Sequence, residues 1–139
     1  MSDFFTQAIF ERMRDDSTLV AMLGSGINSI VTGEEIPPDT SLWPLVYAYG
    51  FGNFNDGGVK NNGGVFFTKN ILAMSRVISS MAEVGSIAHQ VRALFNRQPF
   101  ALTGYNTLVV EAGGPRDIPS DENISVLEIP ITVHAMEIR

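Results

Sequence analysis

The stretch ISVLEIPITVHAMEIR, residues 124–139, constrains the fold most. Leu127, Ile129, Ile131, Val133 and Ala135 fall on one side of it, and Val126, Glu128, Thr132, His134, Met136 and Ile138 on the other. Alternation of this kind belongs to a β-strand with one dry face, because successive strand side chains point to opposite faces. The run exceeds the usual strand of about 5–6 residues, so it needs partner strands along its length and helices over its dry face. The second face is mixed. Val126, Met136 and Ile138 are too apolar for a free surface, while Glu128, Thr132 and His134 are too polar for a core, and that mixture suits a subunit interface. Pro130 donates no ladder hydrogen bond, which predicts a sheet edge or bulge within the strand.

The remaining segments supply candidates for both jobs. Asp3 is placed to cap a first helix running to about Arg14, whose Phe5, Ile9 and Met13 recur at helical spacing with Ala8 beside them. Asp15 or Asp16 caps a short second helix, Ser17 to Leu23, that stops at Gly24. A short strand is expected at Ile27–Val31. A loop with Pro37, Pro38, Pro44, Glu34, Glu35 and Asp39 leads to Trp43 and a strand at Leu45–Tyr49. Residues 50–64, GFGNFNDGGVKNNGG, read as a loop, since glycine and asparagine disfavour regular structure. Val65–Ser79 reads as a strand with Phe67, Ile71, Ala73 and Val77 on one side and Phe66, Leu72, Met74 and Ile78 on the other. Two apolar faces suit a central strand or one that meets another chain. Ser80 and Glu83 form a capping-box pattern at the head of the principal helix, whose stripe is Val84, Ile87, Val91, Leu94 and Phe95. Gly85 permits a close strand contact or marks a later start, and Pro99 closes the helix. Asn106–Ala112 and the final strand then form an extended hairpin around a second loop. This order predicts a single α+β domain over residues 1–139: a largely antiparallel sheet of about four or five strands with two main helices packed on one face.

Composition narrows the function. Hydrophobic residues make up 45% and charged residues 17%, so the chain folds, yet has fewer charges than usual to cover its surface. Both an assembly and a compact monomer fit that balance. Nine basic residues against fifteen acids, net charge -6, argue against tight nucleic-acid binding. With no cysteine there are no disulfides or thiolate metal sites. No apolar run reaches the roughly 18–20 residues that span a bilayer, and MSDFFTQAIFERMRDD does not read as a signal peptide.

Catalytic patterns are missing. His89 and His134 lack paired-ligand spacing, so each is read as a surface or interface histidine. Asp15-Asp16, Glu34-Glu35 and Asp121-Glu122 fall in expected caps and loops, where neighbouring carboxylates are rarely held in the two different environments that acid–base work needs. The glycines of residues 50–64 match neither a dinucleotide fingerprint nor a P-loop, and Gly24-Ser25-Gly26 is not a nucleophile elbow. No cofactor is expected. Phe51, Phe54 and Lys60 are the strongest functional candidates of that glycine-rich stretch: the aromatics either tuck onto their own sheet or anchor a partner. Phe66 and Met74 on one strand, with Val126, Glu128, His134 and Met136 on the last, complete the candidate subunit interface.

Taken together, DDSTLVAMLG, INSIV, WPLVYAYG, AEVGSIAHQVRALFN and the terminal hairpin resemble the tail-terminator, or tail-completion, family of long-tailed bacteriophages. The resemblance spans nearly the whole chain and lies in element order and in the Asp15–Gly24 and Pro38–Tyr47 stretches. The long 50–64 stretch departs from it. The resemblance implies a structural virion protein, assembled in the host cytoplasm, that forms a homo-oligomeric ring, usually of six subunits. Such a ring caps the tail-tube protein at full length, ends elongation and docks the head-tail connector or neck proteins at the tail end. It implies a lumen through which DNA passes without specific binding, no membrane partner, no cofactor and no enzyme activity. The alternatives are a neck or head-to-tail joining protein, a tube-like subunit of related fold, and a small-molecule-binding α+β domain or enzyme.

Overall fold

The computed structural model describes residues 4–33, 40–55, 64–76, 82–118 and 124–138. Three helices and six strands follow in the order α1 (Phe4–Arg14), α2 (Ser17–Met22), β1 (Ile30–Gly33), β2 (Leu45–Asn55), β3 (Gly64–Ser75), α3 (Ala82–Phe95), β4 (Tyr105–Ala112), β5 (Arg116–Asp117) and β6 (Ser125–Glu137). Short 3-10 turns occupy Gly26–Ser29 and Thr40–Leu42. The sheet runs β1-β2-β3-β6-β4, with β5 paired separately to β6. β1 lies parallel to β2 and the other pairings are antiparallel. The α+β class and the helices on one face are as expected from the sequence.

The dry face of β6 is where the periodicity puts it. Ile129, Ile131, Val133 and Ala135 are fully buried beside Val65, Phe67, Ile71 and Ala73 of β3 and Val110 and Ala112 of β4. Burying each large aliphatic side chain stabilises the fold by about 1.5–3 kcal/mol. Helix α1 contributes its predicted stripe of Phe5, Ile9 and Met13, all fully buried. The Phe5 ring stands 5.3 Å from that of Phe67 and 6.1 Å from that of Phe100. Asp16 caps α2 by accepting from the Leu19 amide at 2.9 Å, and takes a second bond from Gln90 of α3 at 2.9 Å. Arg12 of α1 donates to the Leu94 carbonyl at 3.1 Å. The three helices are thereby linked through polar ends as well as apolar stripes. Asp3 and Ser80, expected as caps, lie outside the described residues. Glu83 instead accepts from the Ser75 hydroxyl at 2.5 Å, which joins the start of α3 to the end of β3.

Several expectations need correction. β2 continues through residues 50–55, which read as loop, while residues 56–63 of that stretch lie outside the described residues. Weak strand propensity is overridden there by pairing with β3: Asn53, Phe54 and Asn55 face Thr68, Phe67 and Phe66. The register shifts between Tyr49 and Asn53, so residues 50–52 stand against the single residue Lys69. A bulge of this kind absorbs extra residues at the expense of regular pairing. Lys69 itself is buried on the helix-facing side of β3, an exception that alternation alone does not disclose. α3 begins at Ala82 and stops at Phe95, ahead of Pro99, and no neighbour stands within 4 Å of where a Cβ on Gly85 would lie. Gly85 therefore marks neither a close strand contact nor a late helix start.

β6 is also not an edge. It lies between β3 and the pair β4 and β5, and its register with β3 is unbroken from Gly64–Met136 to Ser75–Ser125. Pro130 is accommodated because β4 and β5 meet β6 in succession with a break between them. Its carbonyl accepts from the Gly113 amide at 2.9 Å in that break. A strand residue points its N–H and C=O to the same side, so the missing donor of Pro130 faces the gap, where no ladder partner is lost. Gly113 is required for the crossing: a Cβ there would stand 2.7 Å from Pro130 Cγ.

Candidate interaction surface

The face of the sheet turned away from the helices divides into two ends. At one end the chain covers itself. Leu45, Tyr47, Met74 and Val126 are buried in a second apolar cluster, closed by Leu42, Trp43, Leu72, Ile118 and Ile124. The segment that carries Leu42 and Trp43 is held by hydrogen bonds rather than by packing alone. Ser29, fully buried, donates to the Leu42 carbonyl at 2.6 Å and accepts from the Ser25 amide at 2.8 Å. Ser25 donates to the Ser41 carbonyl at 2.6 Å, and the Gly24 amide to the Pro44 carbonyl at 3.0 Å. Gly24 lets the segment pass, since a Cβ would meet the Trp43 carbonyl oxygen at 2.2 Å. The Trp43-Pro44 peptide is cis. Arg76 lies over the Trp43 ring, 5.3 Å from its centroid. On the other side β5 brings Ile118 in, with its amide bonded to the Val126 carbonyl at 3.1 Å.

Three of the residues expected at a subunit interface are thus already engaged within the chain. Met74 and Val126 belong to the second cluster because the 41–44 segment and Ile118 close over them. Glu128 is buried and paired with Arg116, whose own side chain is 71% exposed. A carboxylate on this face survives burial because that guanidinium reaches across from β5.

No described segment covers the opposite end of the same face. Phe66 and His134 are directly opposed in register and stack with ring centroids 4.4 Å apart at 17°. Both are half-buried, as are Met136, Thr68 and Thr132. The structure brings together Phe66, His134 and Met136 of the expected set. Phe54 pairs in register with Phe67, and Phe51 sits within the β2 bulge. Both therefore lie on a strand in place of the expected loop, with side chains outside the described part. Lys60 lies outside the described residues altogether. His89 is exposed on α3. Among the described residues no group of three or more His, Cys, Asp or Glu is placed to hold a metal ion, and no helix is long and apolar enough to cross a membrane.

Sequence reading missed the contribution of β4. Its register to β6 shifts between Thr107 and Val109, which puts Val109 opposite His134 and leaves Leu108 as the extra residue. Leu108 is 57% and Val109 38% exposed. A signal was present: three successive apolar residues, Leu108-Val109-Val110, cannot keep a strict alternation. Outside β4 the 97–102 segment forms a groove of about 620 Å³ with residues 105–110. A second groove, of about 410 Å³, lies beyond the turn at the end of α3 and is lined by Arg92, Asn96, Arg97 and Glu111 among others. Between them α3 is fastened to β4. Arg92 donates to the Ala112 carbonyl at 3.1 Å, Asn96 accepts from the Ala112 amide at 3.2 Å, and the Arg97 amide donates to the Val110 carbonyl at 2.8 Å. What this surface offers is apolar contact, stacking and a few fixed charges, which are means of recognition.

By sequence the chain matches no protein-family model and no curated protein. By structure it is similar to a chain from the virion of a native gene transfer agent (GTA) particle. The TM-score is 0.75 at 13% identity, over 94% of this chain and 92% of that one. The two chains share one fold. The likeness extends over nearly the full length of both.

Proposed function

We propose that this protein is a structural component of a phage-type virion and that it acts as a tail terminator. It forms a closed ring of like subunits, six in the expected case, that caps the tail tube, stops its elongation and presents a docking surface to the head connector. The observation that carries this reading is the full-length fold likeness to a chain of a GTA virion. It joins the resemblance of the sequence to tail-terminator proteins. The end of the sheet that no described segment covers supports it: Phe66, His134, Met136 and Val109 form an apolar and aromatic row that a neighbouring subunit would bury. The net charge of -6 suits a channel that DNA crosses without adhering, since like charge repels phosphate. The role is one of assembly, without catalysis or cofactor.

The test is assembly in solution. Light scattering and negative-stain microscopy of the protein, alone and with the tail-tube subunit of its own phage, should show a ring and tubes of arrested length. A neck protein of the same fold would bind the connector but leave tube length unregulated. A protein that stays monomeric with tube and connector subunits alike overturns the assembly reading as a whole.

A further inference from the structure

Arg97 stands two residues beyond the end of α3 with φ at 59°, and among the described residues no other non-glycine has a positive φ. An L-residue is disfavoured there by the clash of its Cβ with the following carbonyl, and glycine or asparagine is the usual occupant just past a helix. The conformation is set by backbone bonds alone. The Arg97 amide bonds to Val110 at 2.8 Å and the Gln98 amide to Phe95 at 3.2 Å, bonds that glycine would make equally well. No described residue uses the side chain. It is exposed, and its guanidinium makes no hydrogen bond, ion pair or ring contact among the described residues. Every other described arginine has such a contact: Arg12 with the Leu94 carbonyl, Arg14 with the Phe10 ring, Arg76 with the Trp43 ring, Arg92 with the Ala112 carbonyl and Arg116 with Glu128. Backbone strain kept for a side chain that no described residue engages points to a use outside the chain.

The surroundings say what kind of use. Arg97 lines both grooves that flank the outer edge of β4, beside the exposed Leu108 and Val109. A guanidinium next to an apolar shoulder fits a carboxylate carried on a protein surface, which it can grip with two parallel hydrogen bonds. Copies of this chain present such groups in excess. Fifteen acids oppose nine basic residues, and Glu11, Asp15, Glu111 and Asp117 are exposed. We infer that Arg97 anchors a contact with a second copy of this chain, holding a carboxylate of the neighbour at the β4 edge while Leu108 and Val109 pack beside it. The contact joins two different surfaces, as a closing ring requires. The inference rests on the assembly reading above and names one residue within it.

The experiment compares wild type, Arg97→Gly and Arg97→Lys by sedimentation velocity at low and high salt, with thermal melts of each. At a dilution where both proteins are monomeric, Arg97→Gly should melt at about the wild-type temperature, because relieved strain offsets the greater chain entropy of glycine, and at higher concentration it should associate at least about tenfold more weakly. Arg97→Lys should keep part of the association, having charge without the paired geometry, and high salt should weaken the wild type. Equal assembly of Arg97→Gly and wild type overturns the inference and leaves the ring standing. A wild type that is monomeric at every concentration overturns both. A clearly lowered melting temperature of Arg97→Gly, measured at a dilution where it and the wild type are both monomeric, overturns the inference by making the side chain part of the fold. Loss of duplex-DNA binding in Arg97→Gly with unchanged self-association overturns the second copy as the occupant.

Discussion

The two ends of the sheet's outer face are built from the same strands and end differently. At one, Leu45, Tyr47, Met74 and Val126 lie under the 41–44 segment and Ile118. At the other, Phe66 and His134 stack on each other with no described segment over them, and Val109 beside them is 38% exposed. Residue type does not explain the contrast, because Phe66 is as apolar as anything at the closed end. Cover does. A strap held by Ser25, Ser29 and Gly24 crosses one end and not the other. An apolar row that no described segment covers is where the proposed neighbouring subunit would pack.

If the closed end is a true second core, truncation there should be severe. Leu45 is fully buried, and Leu45→Ala is expected to cost about 2–5 kcal/mol in urea unfolding, the range of large-to-small changes in packed interiors. A loss under about 1 kcal/mol would show that the strap merely rests on the sheet, and the contrast between the ends would disappear. A middle value is expected at the boundary. Arg116→Ala leaves the buried Glu128 carboxylate without its ion-pair partner. Glu128 keeps a further contact and Arg116 is mainly exposed, so the loss should be about 1–2 kcal/mol, short of the roughly 3–5 kcal/mol of a wholly orphaned buried charge. Arg116→Lys, which retains charge, should recover part of it in the same unfolding assay.

Alternation in residues 127–135 disclosed the dry face of β6, and helical spacing disclosed Phe5, Ile9 and Met13. Both are local signals with a fixed period. Asp16 was legible as a cap for the same reason. What escaped the sequence depends on contacts between distant segments. Glycines and asparagines in residues 50–55 argue for a loop until β3 is seen to pair with them. Met74 and Val126 look like interface residues until the 41–44 segment and Ile118 are found above them. Pro130 suggests an edge until β4 and β5 are seen to share one side of β6. Of the candidate interface, Phe66, His134 and Met136 were legible, because an apolar or aromatic residue on the outer side of a strand is visible in the alternation itself. Leu108 and Val109 were hidden by a bulge, and Arg97 by a backbone conformation that its own residue type disfavours.

The smallest of these three losses of stability carries the largest expected change in assembly. Phe66→Ala removes a larger side chain than Leu45→Ala does, so a pure size rule ranks it as the more damaging. Position reverses the order. Phe66 is half-buried, and its described ring partner is His134, so what is lost is part of a phenylalanine's burial and one stack. That amounts to about 1 kcal/mol of folding stability, of which the stack supplies roughly half or more. In a subunit interface the same ring would be buried completely, and removing it should weaken association by about 2 kcal/mol, or roughly thirtyfold. Urea unfolding of the separated subunit and light scattering of the assembled protein read the two quantities independently. A stability loss equal to that of Leu45→Ala would make the open end part of the chain's own core. An unchanged association would remove Phe66 from the interface and confine recognition to the β4 edge, where Leu108, Val109 and Arg97 stand.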